Sequence, residues 1–289
     1  MSLNCANYNL FIHDEPSPQP LTSFQLILPV SNEVLRIKDT LDYFVPRVGR
    51  ITVVDNFSSD GTADLVKNLY PDVSLYQLSN QGTTETSDYW KKISAFFSME
   101  YILFASCSEI LPPRLLALFD AVASANVADL LSVGRRSITG SSSTDPLYYT
   151  ASSFFLPSPS VPSVIRLVRW SKLDPALIVP HDSFKSQKQC ICLSIKGGDD
   201  SFCIYHLRQK PSLRTLQKHT AYAKLYALYK CRSNILLAIC DSSLRILLDS
   251  LRLLFSLVYL RFNSVILLEY TLRIVMHIQV CFFAIFPKL

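Results

Sequence analysis

The chain predicts an α/β fold, with a mostly parallel sheet, helices on both faces and a helical, amphipathic carboxyl-terminal extension. Three observations predict it. Short apolar runs alternate with helical segments of about ten residues as far as Ser124, strand candidates end in turn-forming or acidic residues, and the chain from Asn234 onward is dominated by Leu, Ile, Val and Phe.

Taken in order, Phe24-Gln-Leu-Ile-Leu-Pro-Val30 is an apolar run bounded by prolines and predicts a buried strand. Glu33 to Phe44 predicts a helix, with Val34, Leu35, Ile37, Leu41 and Phe44 on an apolar face. Arg50-Ile-Thr-Val-Val-Asp55 predicts a second strand ending in a carboxylate. The residues after it, Asn56-Phe-Ser-Ser-Asp-Gly-Thr62, are of the turn and capping types. Asp60, Gly61 and Thr62 read as structural, since Asp and Thr cap helices and Gly permits left-handed backbone. A strand at Val73 to Leu78, a helix from about Ser87 to Ser98 and a strand at Tyr101 to Ala105 follow, the last leading into Ser106-Cys-Ser-Glu109. Pro112 and Pro113 open the next helix. In such a sheet ligands bind at the carboxyl ends of the strands, which brings Asp55 and Ser106 to Glu109 toward one cleft.

Gly140 to Ser163 is rich in Ser, Thr, Pro and Tyr, a long surface loop that is either a lid or a connector. Val164 to Trp170 predicts a strand, and a polar stretch with His181 and Asp182 precedes Phe202-Cys-Ile-Tyr-His206. The organisation expected is a leader over 1–22, a ligand-binding domain over 23–210 and a helical region over 211–289.

Composition narrows the function. With 289 residues and 49% hydrophobic content the chain fills a core without difficulty. A net charge of +5 without a basic run interleaved with aromatics excludes a nucleic-acid partner and favours nucleotide diphosphates or an anionic membrane surface. No GxGxxG follows the first strand, which argues against a dinucleotide-binding enzyme. The eight cysteines form no CxxC pair and read as buried, reduced thiols, Cys190 and Cys192 on one face of a strand. No basic segment leading into an apolar one opens the chain, so a cytoplasmic location is expected, peripheral on the inner face of the cell membrane.

The carboxyl-terminal stretch is interrupted by Arg245, Asp249, Arg252, Arg261, Glu269 and Arg273 too often for an ordinary spanning helix. Arg245, Asp249 and Arg252 share one helical face, while Leu244, Leu247, Leu248, Leu251, Leu254 and Phe255 fill the rest. Such a helix lies in the lipid interface or packs on protein.

Three stretches together resemble the family 2 glycosyltransferases of the GT-A fold: Leu28-Pro-Val-Ser-Asn-Glu33, Val53-Val-Asp-Asn-Phe-Ser-Ser-Asp-Gly-Thr62 and Tyr101-Ile-Leu-Phe-Ala-Ser-Cys-Ser-Glu-Ile-Leu111. Within that family the chain is similar to small bacterial enzymes that build lipopolysaccharide core and related surface glycans, through Val179-Pro-His-Asp182, Ile204-Tyr-His206 and Leu216-Gln-Lys-His-Thr-Ala-Tyr222. The resemblance spans Phe24 to Tyr229. It implies a nucleotide diphosphate sugar donor, most simply UDP-linked, a glycan or lipid-linked acceptor, and inverting transfer. Pro29, Val30 and Glu33 would border the nucleotide, and Asp55 would accept from the uracil or ribose, its other reading being a cap on the next turn. Asp182, in the place of the family's Glu, would be the catalytic base, one methylene shorter than usual.

The chain departs from the family where Asp-Ala-Asp is expected and Ser106-Cys107-Ser108 stands. By resemblance Ser106 and Ser108 would still line the donor site. Neutral hydroxyls are poor ligands for Mg²⁺ or Mn²⁺, which leaves Glu109 and His181 as metal-ligand candidates, or Arg166, Arg169 or Lys172 as cations for the diphosphate. The alternative function is a catalytically impaired relative retained as a scaffold or binding subunit.

Overall fold

In the computed structural model, which describes residues 19–79, 87–140, 146–147, 163–174, 189–195, 202–208, 220, 223, 227, 235–259 and 264–285, the apolar runs become the strands of one ten-stranded sheet. His181, Asp182 and nearly all of the Gly140 to Ser163 segment lie outside the described residues. The chain divides into two compact units, one made of 1–138, 147–178 and 182–208, the other of 139–146, 179–181 and 209–289.

The elements are β1 (Gln25–Val30), α1 (Val34–Phe44), β2 (Ile51–Asp55), α2 (Thr62–Leu69), β3 (Ser74–Gln77), α3 (Ser87–Ile93), β4 (Tyr101–Phe104), β5 (Glu109–Ile110), α4 (Pro113–Ala125), β6 (Leu130–Gly140), β7 (Pro146–Leu147), β8 (Ser163–Arg169), β9 (Cys192–Ile195), β10 (Cys203–Arg208), α5 (Ile235–Tyr259) and α6 (Ser264–Ile285). The main sheet order is β3-β2-β1-β4-β8-β6-β10-β5. Strands β3, β2, β1 and β4 are parallel, and β8 joins β4 antiparallel.

Both faces of β1 are covered, which is why its sequence is apolar almost throughout rather than alternating. Leu26, Leu28 and Val30 pack with Ile37, Leu41 and Phe44 of α1 and with Leu115, Leu116 and Phe119 of α4. Ile27 turns to the other face, with Val54, Ile102 and Phe104, against Trp90 and Ile93 of α3. Each fully buried leucine or isoleucine contributes on the order of 2 kcal/mol. One buried polar side chain, Gln25, is satisfied: its amide donates to Thr52 Oγ1 at 2.8 Å and Phe96 O at 3.0 Å, and its carbonyl accepts from Ser98 N at 2.7 Å.

Strand β6 is not predicted by the sequence pattern. Gly134-Arg-Arg-Ser137 interrupts its apolar pattern, yet Leu130, Leu131 and Val133 are buried between β8 and β9. Cys107 and Cys203 are buried as expected, but Cys192 and Cys240 are exposed. Cys190 lies in the turn before β9, so the expected pairing of Cys190 and Cys192 on one strand face does not form.

In the second unit α5 packs on α6. On the charged face Asp249 is buried and Arg245 half-exposed, while Leu244, Leu247, Leu248, Leu251 and Leu254 are all exposed. Burial, then the charge of Arg245, holds the buried His277 of α6 below the ordinary histidine range, against the opposing pull of Asp249. Among the described residues no helix is long and apolar enough to cross a membrane.

Helix α2 begins after Gly61, whose φ of +91° lies in the left-handed region although no atom crowds the position where a Cβ would stand. Gly61→Ala is therefore a purely conformational change. It should lower the free energy of unfolding by about 1 kcal/mol, read as a lower urea midpoint at unchanged slope.

Candidate functional site

The parallel register sets the site. Val30 lies opposite Asp55, and Phe104 opposite Ile27, so the chain leaves β1, β2 and β4 at one carboxyl edge of the sheet. Pro29 sits one residue inside that edge, opposite Val54. The first unit thus brings together Pro29, Val30, Glu33, Asp55, Ser106, Ser108 and Glu109.

The β1 and β2 loops are laced together. Asn32 is left-handed at φ 54°, which lets its N–H donate to Ser58 Oγ at 2.7 Å while its Oδ1 accepts from Ser59 N at 2.8 Å. Glu33 N donates to Thr62 Oγ1 at 2.9 Å. Asp60 accepts from Val34 N and Thr62 N, each at 3.0 Å, and so caps α1 and α2 together. The Glu33 carboxylate is occupied locally by Arg36, whose Nε donates to it at 2.6 Å.

Asp55 is fully buried at the end of β2. Its carboxylate accepts from Ser58 N at 3.0 Å, from Ser58 Oγ, and from Gln77 Nε2 at 3.2 Å. The capping role weighed from sequence is therefore present, and a ligand reaches this carboxylate only when Gln77 or Ser58 gives way. Beside it, Phe57 is exposed and holds a left-handed φ of 48°. A bulky residue rarely adopts that conformation, and the turn composition of Asn56 to Thr62 does not predict it.

After β4, Ser106 and Ser108 hydrogen-bond to each other at 3.0 Å through their hydroxyls, and Glu109 N donates to Ser106 O at 2.9 Å. Cys107 between them is buried, and burial first, then the charge of Glu33, pushes its thiol up to about 12. The Glu109 side chain is only 2% exposed, and its Oε1 meets Arg166 Nη2 at 2.5 Å and Arg135 Nε at 3.4 Å. Burial alone would raise the carboxyl, but the charges of Arg166 and Arg135 outweigh it and hold it below the usual carboxylate range.

Of the three cations singled out from sequence, Arg166 alone reaches this turn. Arg169 is bound to Glu100 at 2.6 Å and faces Asp129, and Lys172 lies beyond β8. Arg135 was missed because its strand was missed; the only sequence signal was two adjacent arginines following a Leu-Leu-Ser-Val run.

The described residues of this turn are poor ligands for a hard dication. The two hydroxyls are neutral, Glu109 Oε1 is shared by two guanidiniums, and among the described residues no group of three or more His, Cys, Asp or Glu is placed to hold a metal. The ion cluster has a pH signature. With the folded-state pKa of Glu109 below its ordinary value, its contribution is complete above about pH 4.3 and is lost as pH falls through the depressed value. The urea midpoint should fall as pH is lowered from about 4.3, and less steeply in Glu109→Gln.

No protein-family model matches the chain, and no curated protein matches it. Among solved structures it is similar to the mannosyltransferase PcManGT from Pyrobaculum calidifontis in complex with GDP-Man and Mn²⁺, with a TM-score of 0.53 and 13% identity over 96% of this chain and 91% of that one. S. aureus TarS is also similar, with a TM-score of 0.45 and 16% identity over 71% of this chain. Its 1–349 portion in complex with UDP-GlcNAc gives a TM-score of 0.46 and 15% identity over 69% of this chain. The chain spans 39% of TarS and 65% of that portion. The alternating strands, their order and the likeness to PcManGT together show that this chain has the GT-A fold of the glycosyltransferases.

Proposed function

We propose that the protein is a family 2 glycosyltransferase that moves a sugar from a nucleotide diphosphate sugar, most simply a UDP sugar, to a hydroxyl of a glycan or lipid-linked acceptor. The observation that carries this reading is the convergence of Val30, Asp55 and the Ser106 to Glu109 turn at the carboxyl edge of the parallel strands of a GT-A fold. PcManGT and the TarS portion are solved with GDP-Man and UDP-GlcNAc respectively, so both nucleotide types are sensible probes.

In this reading Asp55 accepts from the base or ribose when the Gln77 amide yields, and Pro29, Val30, Glu33 and the serine hydroxyls border the nucleotide. The bond between the anomeric carbon and the diphosphate oxygen breaks, its electron pair staying on that oxygen. The acceptor oxygen attacks from the opposite side, forms the new bond and inverts the centre, while its proton passes to Asp182.

The surface of α5 supports a membrane setting. Leu244, Leu247, Leu248, Leu251 and Leu254 form an exposed stripe at helical spacing, with the half-exposed Arg245 beside them to meet anionic headgroups. Exposed free thiols at Cys192 and Cys240 suit a reducing compartment, in keeping with the inner face of the cell membrane.

Titration with UDP, GDP and their sugars tests the donor site. Wild type should bind one nucleotide type, Asp55→Asn should weaken it at least about tenfold, and Asp182→Asn should bind donor but transfer at least about a hundredfold more slowly. Failure of every nucleotide to bind would overturn this reading in favour of a non-catalytic scaffold. Leu247→Asp with Leu251→Asp should reduce co-sedimentation with phosphatidylglycerol vesicles at least about twofold; unchanged sedimentation would assign the stripe to a protein contact.

A further inference from the structure

We infer that Arg166 and Arg135, held on the Glu109 carboxylate, form a fixed cationic site that receives the donor diphosphate and stands in place of a divalent ion. This rests on the nucleotide-sugar reading above and deepens it.

Position is the first argument. Glu109 directly follows the Ser106-Cys107-Ser108 turn and is tied to it through the bond from its N–H to Ser106 O. The arginines it holds are therefore fixed to the loop that leaves β4 at the ligand edge. Arg166 reaches it because β8 is irregular there. Leu131 pairs with Leu167 and Ser132 with Ile165, so Arg166 is an extra residue with no partner in β6. A bulge of this kind re-aims one side chain while the strand continues, and here the guanidinium is aimed at Glu109.

Charge is the second. Arg166 and Arg135 both face the single Glu109 carboxylate, at a turn whose own side chains are neutral. The carboxylate is 2% exposed, but Arg166 and Arg135 keep 21% and 30% of their side-chain surface. The anchor is thus inside and the cations reach outward. A guanidinium has five N–H donors. Arg166 uses Nη2 on Glu109 and Nη1, at 3.4 Å, on its own Ile165 carbonyl, so it keeps donors for a second anion. Glu109 Oε2 and Arg166 Nε are buried and make no hydrogen bond among the described residues, so the anchor is not closed on itself.

Chemistry is the third. As the sugar leaves, negative charge grows on the diphosphate oxygen that keeps the electron pair. Guanidiniums already oriented by a buried carboxylate stabilise that charge without reorganising, and their planar fork suits two phosphate oxygens at once.

The test uses the full chain and compares UDP with uridine, or GDP with guanosine if wild type prefers it, in excess EDTA and in Mg²⁺ or Mn²⁺. Diphosphate binding should be equal with and without metal. Arg166→Gln should weaken it at least about tenfold while nucleoside binding stays within about twofold, and Arg166→Lys should recover part of the loss. Should Arg166→Gln fail to fold with Glu109 left partly unpaired, Arg135→Gln and the double variant Arg166→Gln with Glu109→Gln should show the same contrast between diphosphate and nucleoside. Binding that requires metal, or that is indifferent to all of these substitutions, would overturn the cation site while leaving the donor reading standing. Absence of binding by nucleotide and nucleoside alike would overturn both.

Discussion

Asp60 starts two helices at once. One of its carboxylate oxygens accepts from the first residue of α1 and the other from the first residue of α2, and the Thr62 hydroxyl that also donates to it accepts in turn from Glu33. Burial works against the ionised form, yet these donors outweigh it and hold its carboxyl below the ordinary range. Because α1 and α2 follow β1 and β2, this small polar knot fixes how the chain leaves two adjacent strands. The paths of the loops above Val30 and Asp55 depend on it more directly than on the apolar core, which fixes the sheet but not the loop paths.

The core and the knot differ in kind. Leu26, Leu28 and Val30 are held by area, and a substitution of similar volume would repack. Glu109 is held by charge in a dry place, where loss of both arginines would leave an uncompensated ion at a cost of about 3–5 kcal/mol. Around the carboxyl edge the protein has therefore placed groups that tolerate little chemical change beside a sheet that tolerates a good deal.

Much of this was legible from the sequence because it is local. The near-continuous apolar runs marked β1, β2 and β4, Pro112 and Pro113 marked the start of α4, and the Asp-Gly-Thr series marked the start of α2. What was not legible is set by partners distant in the chain. Strand β6 carries Gly and Arg at positions that only its neighbours make tolerable. The burial of Asp249 comes with the packing of α6 beside α5, which its place on the charged face of α5 does not predict. Glu109 was noticed as a neighbour of Ser108, but its partners come from β6 and β8, and no spacing within the sequence points to Arg135.

The extra residue of β8 makes that strand sensitive to length rather than to identity. Point changes at Ile165 or Leu167 alter what fills a place in the core, whereas deleting one residue between them would straighten the ladder. The pairs on either side, Leu131 with Leu167 and Ser132 with Ile165, would keep their register, and what is lost is the one side chain that the bulge aims at Glu109. A chain of this kind can drift in composition along β8 for a long way, but an insertion or deletion there would change what the protein is able to hold.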